Sequence, residues 1–163
     1  MFTKIKIYDL DGTIINSLHR YRTNEQNQID LEYWIENDTR ANIMKDSFLV
    51  LKKWLDKDLE NPETYVIFAT ARACEYNDAN YEFLQTHNIM PDMFVHRQGR
   101  NDQRGGAQLK IQAIMPILNE PQFNNATIHV FEDNINYLHD MVTHLANANL
   151  PIVGHFVPSQ QGH

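Results

Sequence analysis

The stretch "YDLDGT" (8–13) sets Asp9 and Asp11 one residue apart where an apolar alternation ends, and follows them with Gly12 and Thr13. Two like charges at the end of a buried strand repel one another and lose hydration, a cost that persists only where a cation or a reaction uses them. Side chains alternate along an extended chain, so Asp9 and Asp11 leave on the same side. Gly12 supplies a bend and Thr13 a hydroxyl for the turn. Later, Thr70 closes "TYVIFAT" with Arg72 two residues on, Lys110 stands near the start of a helical stretch, and "FEDN" brings Glu132 and Asp133. Carboxylates without cysteine suit a hard cation such as Mg²⁺. A hydroxyl and an ammonium are natural partners of phosphoryl oxygens, and stabilising the charge on those oxygens is most of what phosphoryl transfer requires. One carboxylate can then attack phosphorus, while a second protonates the leaving oxygen and later deprotonates a water.

These residues need elements to hold them. Five apolar runs read as strands, at 4–9, 64–70, 92–96, 126–133 and 151–157. Helical periodicity fills the intervals at 41–60, 77–88, 106–120 and 136–149. In the first of these, Ile43, Phe48, Leu51, Leu55 and Leu59 mark one face, Thr39 is the expected N-cap, and Asn61-Pro62 ends the helix. A kink is expected at Pro116. Strands alternating with helices predict a three-layer, Rossmann-like α/β domain around a mostly parallel five-stranded sheet. Ligands of such sheets gather beyond the carboxyl ends of the strands, where Asp9, Asp11, Thr70, Glu132 and Asp133 all fall. The polar, aromatic-bearing segment 14–38 is expected to be a flap over that mouth, so residues 1–163 read as a single domain with a minimal cap.

Composition narrows the function. A net charge of −7 argues against a protein that coats nucleic acid through a broad basic surface. The lone Cys74 excludes an internal disulfide and a multi-cysteine zinc site, and reads as a small half-buried hydrophobe. His139 and His144 are five residues apart, on different helical faces, and His155 and His163 sit near the tail; none is assigned a metal. No apolar run reaches membrane-spanning length, so no membrane partner and a cytoplasmic location are expected.

"DLDGT", the threonine of "IFAT", the lysine of "LKIQ" and the acidic pair of "FED", in that order, resemble the haloacid dehalogenase-like (HAD) phosphohydrolases over residues 4 to 140. The resemblance implies Asp9 as the nucleophile that forms an aspartyl-phosphate and Asp11 as general acid/base. Thr70 and Lys110 would hold the phosphoryl oxygens, and Lys110 would also steady the nucleophile. Mg²⁺ would sit between Asp9, the backbone carbonyl of Asp11, Glu132 and Asp133. The longer family form adds a third acid four or five residues later, where this chain has Asn136 and Tyr137, so the division of metal work between Glu132 and Asp133 stays open.

The large lids of the superfamily are absent, and an open mouth admits bulky substrates. The loop "HRQGRNDQRGGAQLK" (96–110) concentrates His96, Arg97, Arg100 and Arg104 ahead of Lys110, and Arg20 and Arg22 add charge from the flap. That cluster in an acidic chain suggests a nucleotide or a substrate with several phosphates. With Gly12, Thr13 and Arg72, the loop residues Arg97, Arg100 and Arg104 are the expected substrate-binding set. Tyr21, Tyr33 and Trp34 are expected to pack the flap onto the domain, with base stacking as the other use. A basic loop running into a lysine-bearing helix also looks similar to the phosphatase domain of phage-type polynucleotide kinases, and the flap region resembles small phage-encoded members of the superfamily. A phosphatase of nucleotides or nucleic-acid ends is therefore expected. A sugar-phosphate phosphatase and a non-catalytic nucleotide- or protein-binding module are the alternatives, and the residues leave the oligomeric state open.

Overall fold

The computed structural model describes residues 1–73 and 78–161. Cys74, His163 and Asn77, the first residue of the helix expected at 77–88, lie outside the described residues. In chain order the elements are β1 (Lys4–Tyr8), β2 (Ile15–Asn16), α1 (Leu31–Glu36), α2 (Arg40–Ile43), β3 (Ser47–Phe48), α3 (Lys52–Glu60), β4 (Thr64–Ala73), α4 (Ala79–Thr86), β5 (Met93–Arg97), α5 (Gly106–Ile114), β6 (Thr127–Glu132), α6 (Ile135–Leu145) and β7 (Ile152–Phe156). Five strands pair in parallel in the order β5-β4-β1-β6-β7, the expected Rossmann-like sheet. Tyr8 pairs with both Phe68 and Phe131, so the carboxyl ends of β4 and β6 flank that of β1. Among the described residues no helix is long and apolar enough to cross a membrane.

The two-residue alternation sorts the core into two layers. Ile5, Ile7, Ile67, Ile128 and Val130 pack against Leu109, Ile114, Leu138, Met141 and Leu145 on one face. Tyr8, Val66 and Phe68 pack against Ile43, Leu55, Phe83 and Leu84 on the other.

The expected helix over 41–60 is two helices separated by an extended step. Thr39 does cap the first, accepting from the Asn42 N–H, but α2 ends at Ile43. Ser47–Phe48 then pairs antiparallel with Ile15–Asn16, and the Leu49 N–H donates to the Ile14 carbonyl. Asp46 decides the break. It is buried between two arginines, and no continuous helix would deliver it there while pairing β3 to β2. Strand β4 runs past Thr70 to Ala73, with its pairing to β5 shifted between Ala69 and Ala73. Helix α5 stops at Ile114 and continues as a 3₁₀ turn through Met115–Asn119, where Pro116 lacks the N–H that an α-helix requires. The flap is ordered by the β2–β3 pair, a 3₁₀ turn at Leu18–Arg20, a bridge between Thr23 and Ile29, and α1, whose N-cap Asp30 accepts from the Tyr33 N–H.

Candidate active site

Three carboxylates converge where β1 and β6 end. One oxygen each from Asp9, Glu132 and Asp133 lie within 4.8 Å of one another, and all three residues are buried. Lys110, 1% exposed, donates to Asp9 Oδ1 at 3.0 Å and to Glu132 Oε2 at 2.7 Å. Thr13 Oγ1 donates to Asp9 Oδ2 at 3.2 Å, and the Asn134 N–H donates to Glu132 Oε1 at 3.2 Å. Burial opposes the charge on Lys110, but Asp9 and Glu132 outweigh it and hold the ammonium protonated.

The donor set suits a hard divalent cation. Asp133 Oδ2 is buried with no hydrogen-bond partner, a condition a ligand oxygen occupies when its ion is absent. The space in front of it is kept by Gly12, whose φ is +81°. A Cβ there would stand 2.1 Å from Asp133 Oδ2, so glycine is required for both the turn and the room. Burial first, then the charge of Asp9, pushes Glu132 up to about 7 and Asp133 up to about 10. The metal-free folded chain therefore keeps protons that the unfolded chain has already released, and its stability falls as pH rises through these values. The expected outcome is a melting temperature that MgCl₂ raises and EDTA lowers, with a wider gap at about pH 8 than at about pH 6. Identical melting curves with and without the ion at both pH values would remove the metal site.

Asp11 does not join this cluster. Its carboxylate accepts from Arg72 Nε at 2.8 Å, Arg72 NH2 at 2.5 Å and Ser17 Oγ at 2.7 Å. Burial raises its pKa, but Arg72 outweighs that and holds the group below the usual carboxylate range. The neighbour expected to carry a proton is thus an ionised partner of Arg72 in this state. Arg72 itself is 4% exposed, with further bonds to Asp46 Oδ2 (3.1 Å) and Asn80 Oδ1 (2.6 Å). Arg72 lines the cleft, as a substrate-binding residue would, while its donors are taken up by Asp11, Asp46 and Asn80. Thr70, 1% exposed, lines the cleft and accepts the Arg72 N–H through Oγ1 at 3.1 Å.

Sequence reasoning missed the far half of this network. Asp46 accepts from Arg20 Nε at 3.0 Å and NH2 at 2.9 Å. Arg20, read as a flap charge for substrate, is fully buried and lies 4.4 Å from the centre of the Trp34 ring. Arg22 is occupied at the surface by Asp30 at 2.8 Å. Neither Asp46 nor Ser17 carried a local signal, because their partners are remote in sequence.

A cleft of about 640 Å³ opens over the site. Asp9, Asp11, Thr70, Lys110, Glu132 and Asp133 form its floor, and Tyr21, Ile29, Leu31, Trp34 and Ile35 of the flap give it an apolar wall. Gly12 and Thr13, expected to touch substrate, are not among its lining residues; they shape Asp133 and Asp9 from behind. The basic loop divides. Arg97 donates to the carbonyls of Ala71, Asp102 and Arg104 and so folds the loop. Arg104 is paired through two nitrogens with Asp102, whose carboxyl it holds far below its ordinary value. Arg100 stands exposed on the rim of the cleft, and its charge acts on Asp38 across the mouth.

Comparison with known proteins places this geometry in context. The family model described as bacteriophage T5 5′-deoxynucleotidase matches residues 1–97. The 5′-deoxynucleotidase of Escherichia phage T5 is 34% identical over 82 residues, which is 48% of this chain and 34% of that protein's length. Among solved structures, a chain of the Pnkp1/Rnl/Hen1 complex has a TM-score of 0.65 at 20% identity, covering 97% of this chain and 46% of the other. The HAD domain of the Legionella pneumophila effector Lem4 has a TM-score of 0.59 at 16% identity, covering 98% and 88%. A predicted phosphatase from Clostridium acetobutylicum has a TM-score of 0.59 at 13% identity, with 95% of each chain covered. These likenesses assign the HAD-type fold.

Proposed function

The chain belongs to the bacteriophage T5 5′-deoxynucleotidase family, and from that premise we propose that it is a Mg²⁺-dependent phosphoric monoester hydrolase that removes the 5′-phosphate of deoxynucleotides. The observation that carries this reading is Asp9: a buried carboxylate held by Lys110 and Thr13, next to the unsatisfied Asp133 oxygen, on the floor of a cleft far larger than a phosphate. Residues 1–163 act as one domain, with the flap at about 14–38 covering the site.

In the proposed reaction an oxygen of Asp9 bonds to phosphorus as the bond to the ester oxygen breaks, giving an aspartyl-phosphate and an alcohol. Lys110 fixes the attacking carboxylate and, with the Thr70 hydroxyl, balances charge on the phosphoryl oxygens. Asp11, held at the cleft by Arg72 and Ser17, takes up a proton from solvent and gives it to the leaving oxygen. It then takes one from the water that attacks phosphorus, releasing inorganic phosphate and restoring Asp9. Asp9, Glu132, Asp133 and the Asp11 carbonyl would hold Mg²⁺, which supplies positive charge that offsets carboxylate repulsion and polarises the phosphate.

Beyond the phosphate, the Trp34 wall suits a nucleobase and Arg100 an anionic group at the rim. Trp34→Ala is expected to raise KM for a deoxynucleoside monophosphate by roughly tenfold, the worth of one base–aromatic contact, with kcat changed much less. Steady-state kinetics on that substrate decide this, and an unchanged KM removes the base from the wall. The wider test is phosphate release from deoxynucleoside 5′-monophosphates, 3′- and 5′-phosphorylated oligonucleotides and sugar phosphates. Preference for the mononucleotides supports the reading. Preference for oligonucleotide ends moves the substrate to polymers, and preference for sugar phosphates overturns it.

A further inference from the structure

The segment after β7 returns to the mouth of the site. Ser159 Oγ lies 2.5 Å from the position a Cβ at Gly12 would take, so the tail rests against the loop that follows β1. The Gln161 N–H donates to that same Ser159 hydroxyl at 2.9 Å, and the Gln161 side chain reaches Ser17 and the cleft.

The contact has a defined sense. The backbone N–H of Ser17 donates to Gln161 Oε1 at 3.3 Å, and an N–H can only donate, so the amide oxygen must face it. The amide nitrogen is then left facing the Ser17 hydroxyl, to which Nε2 donates at 2.8 Å. A serine hydroxyl has one proton. With its oxygen already accepting from Gln161, Ser17 directs that proton to Asp11 Oδ1 at 2.7 Å. Ser17 is fully buried, so no solvent competes for this arrangement.

We propose that Gln161 is a positioning residue for the reaction: by clamping Ser17 at both its N–H and its hydroxyl, it fixes the orientation of the Asp11 carboxyl that delivers the proton to the leaving oxygen. This rests on the phosphatase reading above, with Asp11 as the acid. A residue near the end of the chain thereby acts on the loop after the first strand, and the path runs through two hydrogen bonds.

Leaving-group dependence tests it. A deoxynucleoside 5′-monophosphate expels a strongly basic alkoxide and depends on Asp11 for its proton, whereas 4-nitrophenyl phosphate expels a weakly basic phenolate and depends on it far less. Gln161→Ala is expected to lower kcat/KM for the nucleotide by about tenfold and for the aryl ester by only about twofold, a fraction of what general acid catalysis contributes. Gln161→Glu is expected to cost more on the nucleotide, since the introduced carboxylate accepts the Ser17 proton and takes it from Asp11. If Gln161→Ala unfolds the tail, Ser17→Ala cuts the same link inside the loop and must show the same split. Combined with Gln161→Ala it must add little. Equal losses on both esters, wild-type kinetics in both Gln161 variants, or additive losses in the double variant overturn the positioning role alone. A wild-type protein inactive on both esters overturns the phosphatase reading and this inference with it.

Discussion

Asp9→Asn should lower phosphate release by at least about 10³-fold while leaving a folded protein. The carboxamide occupies nearly the same volume, but its oxygen is a poor nucleophile and its nitrogen cannot form the acyl phosphate. The two effects separate because the proposed nucleophile is also a charge that burdens the metal-free fold. Asp9 is the charge that, after burial, pushes both Glu132 and Asp133 upward, so removing it relieves the metal-free chain. Lys110 still keeps Glu132 at 2.7 Å. Without divalent ion, the melting temperature of the variant should equal or exceed that of wild type, and the increment gained from MgCl₂ should shrink. Calorimetry or fluorescence melting beside a phosphate-release assay checks both halves. A variant within tenfold of wild-type turnover would show that another group attacks phosphorus.

Arg72→Ala should have the largest effect on stability, about 3–5 kcal/mol, because it leaves the Asp11 carboxylate without its cation and takes from the buried Asp46 one of its two arginines. The Asp46 side chain is shielded from solvent, that of Asp11 is 21% exposed, and Arg72 reaches both. In a chain of this size that loss lowers the melting temperature by roughly 10 °C or more. Arg72→Lys should recover only part of it, since an ammonium cannot reproduce the two-nitrogen grip on Asp11 and reach Asp46 as well. Adding Asp11→Asn to Arg72→Ala should restore some stability by removing the uncompensated charge, but not activity, because the proton donor is then absent. Denaturant or thermal unfolding measures the first claim, and kinetics on the same samples the second. A melting temperature within about 2 °C of wild type would mean that solvent reaches these carboxylates.

Much of the floor of the site was legible in the sequence because its four acids, Asp9, Asp11, Glu132 and Asp133, end or follow a strand with a strong local signature. The period-two run before Asp9 and the hydrophobic strand before Glu132 fix where those side chains emerge, and parallel pairing around β1 then draws them together. The same logic identified the five strands, and the family match covers the first of the two halves that meet there.

The reading failed where a side chain's role depends on a partner remote in the chain. Residues 41–60 have a helical apolar period, yet the backbone leaves the helix after Ile43 because Asp46 is needed between Arg20 and Arg72. Arg20, Arg72, Arg97 and Arg104 look in sequence like charges for an anionic substrate. Each is instead occupied by a carboxylate or by backbone carbonyls. Local pattern thus determined which acids sit at the mouth of a parallel sheet and that they suit phosphoryl chemistry. Only the tertiary structure decided that Arg20, Arg72, Arg97 and Arg104 are held by protein acceptors, because an arginine's partners are set by the acceptors that folding brings to it, and composition and spacing carry no record of those distances.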